Sequence, residues 1–265
     1  MNNTIVLIPH YKNKEGLYES IKSIDQSENI DVLIIDDGSP EAKPTEEEIL
    51  KYKAYNGELF FIANPKNQGI EIILNQGLDF ALEKGYKYIA RLDAGDICYP
   101  NRFAKQEKHM EEHPDLALLG TQVNFTDTSG NVIYNKKFPT EDADIRNKMH
   151  VNSMFIHPSV IFKTDVINTV GKYPTEYKSA EDFAYFFNIM KKHKVANLDE
   201  ILLDYEINFD GISMTTRNRQ IKNRIKILKK HFNFSFWPIY GMIINYMILY
   251  TPTTLIQRLK TIIYK

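Results

Sequence analysis

Cysteine is almost missing from this chain of 265 residues, in which Cys98 stands alone. A single thiol excludes an intrachain disulfide, so the fold has to be held together by a hydrophobic core. The length of the chain and its 43% content of hydrophobic residues are sufficient for one substantial core. The N-terminal residues lack a basic stretch followed by a long apolar run, which predicts no signal peptide and a body that stays in the cytoplasm.

Acidic residues are missing from the C-terminal part of the chain. Residues 211–265 contain 10 Lys and Arg and no Asp or Glu, whereas residues 1–210 contain 23 basic and 34 acidic residues. The net charge of −1 therefore combines an acidic body with a basic extension. The aromatic residues of the extension do not alternate with its basic residues, and it has no nucleic-acid-binding motif, so we expect no nucleic-acid partner.

A long uninterrupted apolar run is also missing. Residues 232–257 carry no charge, but Pro238 and Pro252 break a stretch that would need about 20 apolar residues to span a bilayer. Seven basic residues precede it in residues 217–230, and such a cluster attracts anionic lipid. We therefore predict that residues 217–265 lie on an anionic membrane surface as interfacial helices. A helical pair packed on the body, or a dimer contact, is the alternative.

Short apolar stretches alternate with amphipathic ones in the first hundred residues. The pattern predicts strands at 4–9, 31–36, 58–63 and 86–93, with helices between them at 14–27, 45–56 and 69–84. Alternation of this kind is typical of an α/β fold with a doubly wound, mainly parallel sheet. Further along the chain, the pattern predicts helices at 100–113 and 180–193 and strands at 116–126, 131–138 and 159–163.

Polar residues follow three of the predicted strands, and ligands bind beyond the carboxyl ends of the strands in such sheets. Two of these segments carry paired carboxylates. Asp36 and Asp37 can accept hydrogen bonds from a nucleobase and a ribose. Asp93 and Asp96 can hold Mg²⁺ or Mn²⁺ against a diphosphate. The structural alternatives are an Asx turn for the first pair and an exposed acidic turn for the second.

Six segments of the chain follow one another in the order and spacing of a known enzyme family. They are IVLIPHYKN, SIKSIDQS, VLIIDDGS, NPKNQGIEIILNQGLDFA, YIARLDAGDICYPNRF and SAEDFAYFFNI. Together they resemble the family 2 glycosyltransferases, whose donor-binding half has the Rossmann-like GT-A fold, from Ile5 to about Ser213. The resemblance implies a glycosyltransferase domain at 1–210, with a nucleotide-sugar-binding half at 1–100 and an acceptor half at 101–210. The helical extension is expected at 211–265.

The resemblance also implies the reaction. Such an enzyme transfers a sugar, with inversion at the anomeric carbon, from a nucleotide-sugar donor, for which a UDP-linked sugar is the first expectation. The extension favours a glycan or lipid-linked acceptor in cell-surface polysaccharide or lipopolysaccharide biosynthesis, at the inner face of the plasma membrane. The alternatives are a catalytically silent glycan-binding or scaffold protein of the same fold, and a sugar-phosphate nucleotidyltransferase, whose glycine-rich phosphate loop is absent here. The oligomeric state is left open.

The family positions imply roles for the polar residues at the strand ends. Asp93 and Asp96 are expected to bind a divalent metal, Mn²⁺ or Mg²⁺. His157 and Tyr173 are expected to border the acceptor, although a turn with a hydrogen-bonded histidine explains His157 equally well. The residues expected to bind the nucleotide sugar are Pro9, Tyr11, Asp36, Asp37, Asn67, Gly69, Asn75, Arg91, Asp93 and Arg102.

Glu181 and Asp182 open the predicted helix at 180–193. An inverting transfer needs a carboxylate within hydrogen-bonding distance of the acceptor hydroxyl. The family position of this pair implies that Asp182 is the general base, with Glu181 as its catalytic neighbour. Acidic residues are also favoured in the first turn of any helix by the helix dipole, which is the structural alternative.

Two regions depart from the family pattern. Gly95 stands where many members have an Asp that is expected to touch the metal. Near residue 205, where members often have Tyr-Arg-x-His, this chain has Glu206 and Asn208 instead of the basic pair. Arg217 or Arg219 would have to replace the missing positive charge. Both departures affect the metal and diphosphate end of the site and leave the expected fold unchanged.

Overall fold

The computed structural model describes residues 2–41, 43–207 and 216–252, which form an α/β body followed by a helical pair. The strands are β1 (Thr4–His10), β2 (Asp31–Asp36), β3 (Leu59–Ala63), β4 (Tyr88–Arg91), β5 (Ile97–Cys98), β6 (Leu116–Thr126), β7 (Val132–Asn135), β8 (Ile161–Lys163) and β9 (Lys194–Glu206). The helices are α1 (Lys14–Lys22), α2 (Glu46–Leu50), α3 (Ile70–Lys84), α4 (Arg102–Glu112), α5 (Asp142–Met149), α6 (Val166–Val170), α7 (Glu181–Lys192), α8 (Arg217–Lys230) and α9 (Phe236–Tyr250), with a short 3-10 turn at His157–Ser159.

The nine strands of the described residues form one mixed sheet. Its order is β3-β2-β1-β4-β8-β6-β9-β5, with β7 attached to β6. The first four strands are parallel, as predicted for the first hundred residues. Beyond these strands the sheet is mixed, because β6 and β9 are parallel whereas β8 runs antiparallel to both β4 and β6. β7 is also antiparallel to β6, since it follows after a short turn and parallel strands need a long crossover.

Two of the predicted helices are shorter in the structure. α1 ends at Lys22, and α2 covers only Glu46–Leu50. At the end of α1, the hydroxyl of Ser23 donates to the carbonyl of Ser20 and accepts from the backbone N–H of Cys98. The second of these contacts joins residues that are 75 positions apart, so local periodicity could not reveal it.

Hydrophobic side chains cover both faces of the sheet. Ile5 and Leu7 of β1 belong to a buried cluster that includes residues of α3 and α7. Val6 and Ile8 belong to a second cluster, with residues of α1 and α4. Successive side chains of a strand point to opposite faces, and a helical layer on each face explains the continuous apolar runs of these strands. Polar side chains can therefore reach solvent mainly at the strand ends.

The helices α8 and α9 pack on the body of the protein. The side-chain amide of Asn245 donates to the carbonyl of Val151 at 3.1 Å. Gly241 lies so close to His150 that a Cβ at residue 241 would stand 2.1 Å from the carbonyl oxygen. The packed helical pair is thus present, and within the described ranges no helix is long and apolar enough to cross a membrane. Contact with a membrane surface stays a prediction.

Gly38, in the turn after β2, is expected to tolerate no side chain. Its φ is +66°, and a Cβ there would stand 2.3 Å from the backbone of Lys66. Gly130 has a φ of +81° but no atom within 4 Å of such a Cβ. In urea unfolding, we expect Gly130→Ala to lower the free energy of unfolding by about 1–2 kcal/mol through backbone strain alone. Gly38→Ala should lower the free energy of unfolding by at least about 1 kcal/mol more, because its Cβ would clash with the backbone of Lys66. Equal losses would contradict a close approach at Lys66.

Candidate active site

The ends of β1 and β2 are joined by a buried hydrogen bond. Asp36 is fully buried, and one of its carboxylate oxygens lies 2.8 Å from Nδ1 of His10. The same carboxylate accepts hydrogen bonds from the backbone N–H and the hydroxyl of Ser39. Asp36 therefore holds the strand ends together below the surface, and Pro9 is partly exposed beside it. The surface at the carboxyl ends of β1, β2 and β4 is called the cleft. The sequence located His10 at this edge but did not reveal its pairing with Asp36.

Asp37 organises the neighbouring loop. Its two carboxylate oxygens accept hydrogen bonds from the backbone N–H groups of Gln68 at 2.7 Å and Gly69 at 3.0 Å, at the start of α3. The dipole of a helix favours a carboxylate at this end. The side chain of Tyr11 is 39% exposed, and Asn67 is exposed as well. Both are accessible to a ligand at this edge of the sheet.

A buried arginine fixes the end of β4. Arg91 donates to the carbonyl of Leu7 in β1 and forms an ion pair with Asp93. Its Nε lies 3.4 Å from Nε2 of His157. The side chain of Arg91 is fully buried, whereas that of Asp93 is 40% exposed. The ion pair therefore holds the Asp93 carboxylate at a set position on the edge of the cleft.

Asp96 lies deeper than Asp93 in the same turn. It is 3% exposed, and its Oδ1 accepts a hydrogen bond from the backbone N–H of Glu206 at 2.9 Å. Its Oδ2 finds no hydrogen-bond partner among the described residues. Burial, and then the charge of Asp93, raise the pKa of Asp96 well above its ordinary value. Gly95, between the two carboxylates, has a φ of +114°, which side-chain-bearing residues rarely adopt.

Arg102 lies in the core behind the cleft. Its guanidinium is fully buried and donates to the carbonyls of Arg91 at 2.7 Å and Pro158 at 2.6 Å. Its Nε donates to Gln106, one helical turn along α4. These donors are used within the protein, and a contact of Arg102 with the nucleotide sugar stays a prediction. The residue supports the strand end that carries Asp93.

Asn75 joins α3 to the loop before α7. Its side-chain amide donates to the carbonyl of Tyr173 at 3.0 Å, and its Oδ1 accepts from the Tyr173 N–H at 2.8 Å. The Tyr173 hydroxyl lies 2.9 Å from Nε2 of His157. Burial and the charge of Arg91 hold the pKa of His157 well below its ordinary value, so the imidazole is neutral at pH 7. The structure thus brings His157 and Tyr173 together beside Arg91.

Glu181 and Asp182 lie in the first turn of α7. Glu181 is 7% exposed, and burial followed by the charge of Asp182 raises its pKa to about 8. Asp182 is partly exposed and accepts a hydrogen bond from the N–H of Phe183 at 2.7 Å. Burial also raises the pKa of Asp182, and the charge of Asp93 adds to this rise. A carboxylate with a raised pKa is suited to accept a proton near neutral pH.

Arg224 of α8 is a site residue that the sequence did not reveal. It lines a cavity of about 40 Å³ that also contacts Asp182, Ser179 and Gln220. Its positive charge opposes the rise in the pKa of Asp182 that burial causes. A signal was present in the sequence, since Arg224 falls at helical spacing among the buried apolar residues of α8, which are Ile221, Ile225, Ile227 and Leu228.

The strand-end carboxylates fit a divalent metal only together with a bound diphosphate. Within the described residues, no group of three or more His, Cys, Asp or Glu side chains is arranged to hold a metal by itself. Mg²⁺ is commonly bound by one or two carboxylates and the phosphates of a substrate. Asp93, which reaches solvent, and Asp96, whose Oδ2 is unpaired among the described residues, can serve in this way. Asn208 lies outside the described residues.

The parallel strands and the carboxylates at their ends lie in the part of the chain that matches a known family. Residues 5–171 match the family model of glycosyl transferase family 2. The chain belongs to this family. It is therefore a glycosyltransferase, and the resemblance seen in the six sequence segments is confirmed.

Curated relatives of this glycosyltransferase are named for the same enzyme class. An uncharacterized glycosyltransferase of Methanocaldococcus jannaschii is 29% identical and covers 96% of this chain and 91% of its own length. The amylovoran biosynthesis glycosyltransferase AmsE of Erwinia amylovora is 27% identical and covers 86% of this chain and 85% of its own length. The likeness to both extends well beyond the residues that match the family model.

Solved structures share the fold. Residues 1–349 of S. aureus TarS in complex with UDP-GlcNAc are 18% identical, with a TM-score of 0.68 over 94% of this chain and 72% of that fragment. The mannosyltransferase PcManGT of Pyrobaculum calidifontis, in complex with GDP-Man and Mn²⁺, is 15% identical, with a TM-score of 0.62 over 94% of this chain and 69% of that protein. These matches confirm the α/β architecture of the GT-A type, with a mixed sheet.

Glu181 is expected to make the stability of the enzyme depend on pH. Its pKa of about 8 in the folded protein lies above the ordinary value of 4.5, so the folded state binds the proton more tightly. The stability that this proton contributes is present below about pH 4.5 and is lost as the pH rises towards 8. We expect Glu181→Gln to remove this part of the pH dependence and to unfold at a higher temperature than wild type at pH 8.

Thermal unfolding followed by circular dichroism between about pH 5 and 8 measures this effect. Glu200→Gln, at an exposed glutamate of β9, is the matched control and should keep the wild-type dependence. The same slope in wild type and Glu181→Gln would contradict a protonated, buried Glu181.

Proposed function

We propose that this glycosyltransferase transfers a sugar, with inversion, from a nucleotide-sugar donor, of which UDP-linked sugars are the first candidates. The observation that carries the proposal is the convergence of two carboxylates from distant parts of the chain. Asp93 follows β4 and Asp182 begins α7, and the charge of Asp93 contributes to the raised pKa of Asp182. An inverting displacement needs a base on one side of the sugar and a site for the leaving group on the other.

Asp182 is the general base in this proposal. Its carboxylate is partly exposed and borders the cavity that Arg224 also lines, so an acceptor hydroxyl can approach it. Its raised pKa favours acceptance of the proton. Glu181 has a pKa of about 8 and is mostly protonated at neutral pH, which leaves Asp182 as the ionised partner. The positive charge of Arg224 opposes the rise in the pKa of Asp182 and favours its ionised form.

The donor lies at the carboxyl edge of the parallel strands. Tyr11 and Asn67 are accessible to the nucleoside, and Asp37 holds the loop before α3 in place. Asp93 and Asp96 would hold Mn²⁺ or Mg²⁺ against the diphosphate, and the bound metal would supply positive charge that stabilises the departing group. Support comes from two proteins of the same fold, TarS with UDP-GlcNAc and PcManGT with GDP-Man and Mn²⁺.

The acceptor is a glycan or a lipid-linked glycan of cell-surface polysaccharide or lipopolysaccharide synthesis. His157 and Tyr173 border the acceptor side beside Arg91, with a neutral imidazole that can donate or accept a hydrogen bond. The name of the relative AmsE, an amylovoran biosynthesis glycosyltransferase, supports this class of product.

We place the enzyme at the cytoplasmic face of the membrane, bound through α8 and α9. Basic residues of α8 are exposed next to α9, and Nζ of Lys229 lies 5.9 Å from the centre of the Tyr246 ring. An exposed apolar face beside a basic one suits an anionic lipid surface. The exposed apolar residues of α9 are Phe236, Ile239, Tyr240, Ile243, Tyr246, Met247 and Tyr250.

Asp182→Asn is expected to separate binding from catalysis. Nucleotide affinity should stay within a few-fold of wild type, because Asp182 serves the acceptor. The rate of transfer should fall by about 10²- to 10⁴-fold, which is the usual contribution of a general base. Calorimetry with UDP, GDP and dTDP in the presence of Mn²⁺ measures the first quantity. Transfer from the matching nucleotide sugars to a membrane extract measures the second.

Asp115→Asn, which changes an exposed carboxylate paired with Lys194, is the control and should retain both properties. If wild type bound none of the three nucleotides, the silent-scaffold alternative would replace the proposed function. If Asp182→Asn transferred sugar at the wild-type rate, another group would have to be the base.

Membrane binding is expected to depend on the exposed face of α9. Replacing Ile243, 54% exposed, and Met247, 61% exposed, by Ser should weaken binding to vesicles that contain anionic lipid. We expect a loss of about tenfold or more, because apolar area no longer enters the interface. The control is Val132→Ser, at a 52% exposed residue of β7. Co-sedimentation with vesicles measures the effect, and equal binding of all three proteins would contradict this surface.

A further inference from the structure

The carboxylate of Glu206 lies beside the position where Gly95 has no side chain. Glu206 ends β9, and Gly95 belongs to the turn after β4. A Cβ at residue 95 would stand 3.4 Å from Oε1 of Glu206 and 3.5 Å from its Cδ. These are ordinary van der Waals distances, so the carboxylate is in the space towards which a side chain at residue 95 would point.

A hydrogen bond fixes the end of β9 against this turn. The backbone N–H of Glu206 donates to Oδ1 of Asp96 at 2.9 Å. Oδ2 of Asp96 is buried without a partner among the described residues, in a side chain that is only 3% exposed. A buried carboxylate oxygen without a donor is costly and indicates a partner that the described residues do not supply.

The charges at this place are not balanced. Asp93 is paired with Arg91, and the charge of Arg102 acts on Asp96 although its donors bind backbone carbonyls, so the three carboxyl groups of Asp93, Asp96 and Glu206 share two guanidinium groups. The carboxylate of Glu206 is partly exposed, and no hydrogen bond reaches it from the described part of the chain. A donor diphosphate would add further negative charge, so carboxylates and phosphates can meet here only around a cation.

Gly95 and Glu206, the two residues that depart from the family pattern, therefore lie next to each other in the folded protein. One removes a carboxylate at Gly95, and the other introduces a carboxylate, Glu206, where members often have a basic residue. The introduced oxygen lies 3.4 Å from the position of the missing Cβ. Considered together, the two changes move a negative charge from the turn after β4 to the end of β9.

We propose that Glu206 replaces the carboxylate missing at Gly95 and binds, with Asp93, the divalent cation that holds the donor diphosphate. This inference rests on the proposed nucleotide-sugar transfer. Mg²⁺ and Mn²⁺ prefer oxygen ligands, and two protein carboxylates with phosphate oxygens are sufficient to hold them. The two ligands then come from segments far apart in the chain, the turn after β4 and the end of β9, which the hydrogen bond between Asp96 and Glu206 joins across 110 positions.

Glu206→Gln tests this role, because it keeps the size of the side chain and removes its charge. Calorimetry measures the affinity of the full-length protein for UDP, GDP and dTDP, once with Mn²⁺ and once with EDTA. Electron paramagnetic resonance measures the Mn²⁺ that each protein binds in the presence of the nucleotide. Asp199→Asn is the matched control, since Asp199 is an exposed carboxylate of the same strand, 3.8 Å from Nζ of Lys137. Thermal unfolding verifies that both variants are folded.

We expect Mn²⁺ to strengthen nucleotide binding by wild type and Asp199→Asn. In Glu206→Gln this gain should fall by about 10- to 100-fold, and Mn²⁺ binding should weaken in parallel. With EDTA, Glu206→Gln should bind the nucleotide as well as wild type or better, because a negative charge near the diphosphate has been removed.

A gain from Mn²⁺ that is unchanged in Glu206→Gln would overturn the inference and leave the proposed function intact. So would tighter binding by this variant both with Mn²⁺ and with EDTA, since Glu206 would then only repel the nucleotide. Binding of a nucleotide by wild type without any effect of Mn²⁺ would also overturn it. If wild type bound no nucleotide under either condition, the proposed function itself would fail, and this inference with it.

Discussion

The ion pair between buried Arg91 and partly exposed Asp93 is the contact on which the rest of the cleft depends. The side chain of Arg91 also donates to the carbonyl of Leu7, and its backbone carbonyl accepts from Arg102, so β1, β4 and α4 are joined at this one residue. An unpaired charge in this position would be strongly destabilising. The position of the Asp93 carboxylate is therefore coupled to the stability of the sheet, and burial together with the charge of the same guanidinium holds the pKa of His157 well below its ordinary value.

The segment around Tyr173 is positioned by hydrogen bonds to its backbone and not by an ion pair. Asn75 binds the backbone of Tyr173 through both ends of its amide, which sets the distance between α3 and the loop before α7. The helix α8 adds Arg224 beside Asp182, so the basic extension contributes to the catalytic side as well as to the exposed surface. Desolvation around Asp182 and Glu181 raises the pKa of both carboxylates, and a general base at neutral pH requires this direction.

The sequence predicted the parallel half of the sheet and the polar segments at its edge, because both follow from local periodicity. It did not predict how individual polar side chains are used. Asp36 and Arg102 were expected at the ligand, and in the structure they join strand ends and support β4. Asp37 binds backbone N–H groups that lie 31 and 32 residues away. Contacts over such separations depend on which segments become neighbours, and a pattern of spacing within one segment does not contain that information.

By itself, the sequence determined the order of strands and helices in the first hundred residues, the carboxylates at their ends and the membership in glycosyl transferase family 2. Only the tertiary structure decided that β8 lies antiparallel between β4 and β6, that Arg224 turns inward to Asp182, and that Glu206 stands beside Gly95. The reason is physical. Alternation of apolar and polar residues indicates which side of a helix or strand is buried. The segment that covers this side is determined by packing between residues far apart in the chain.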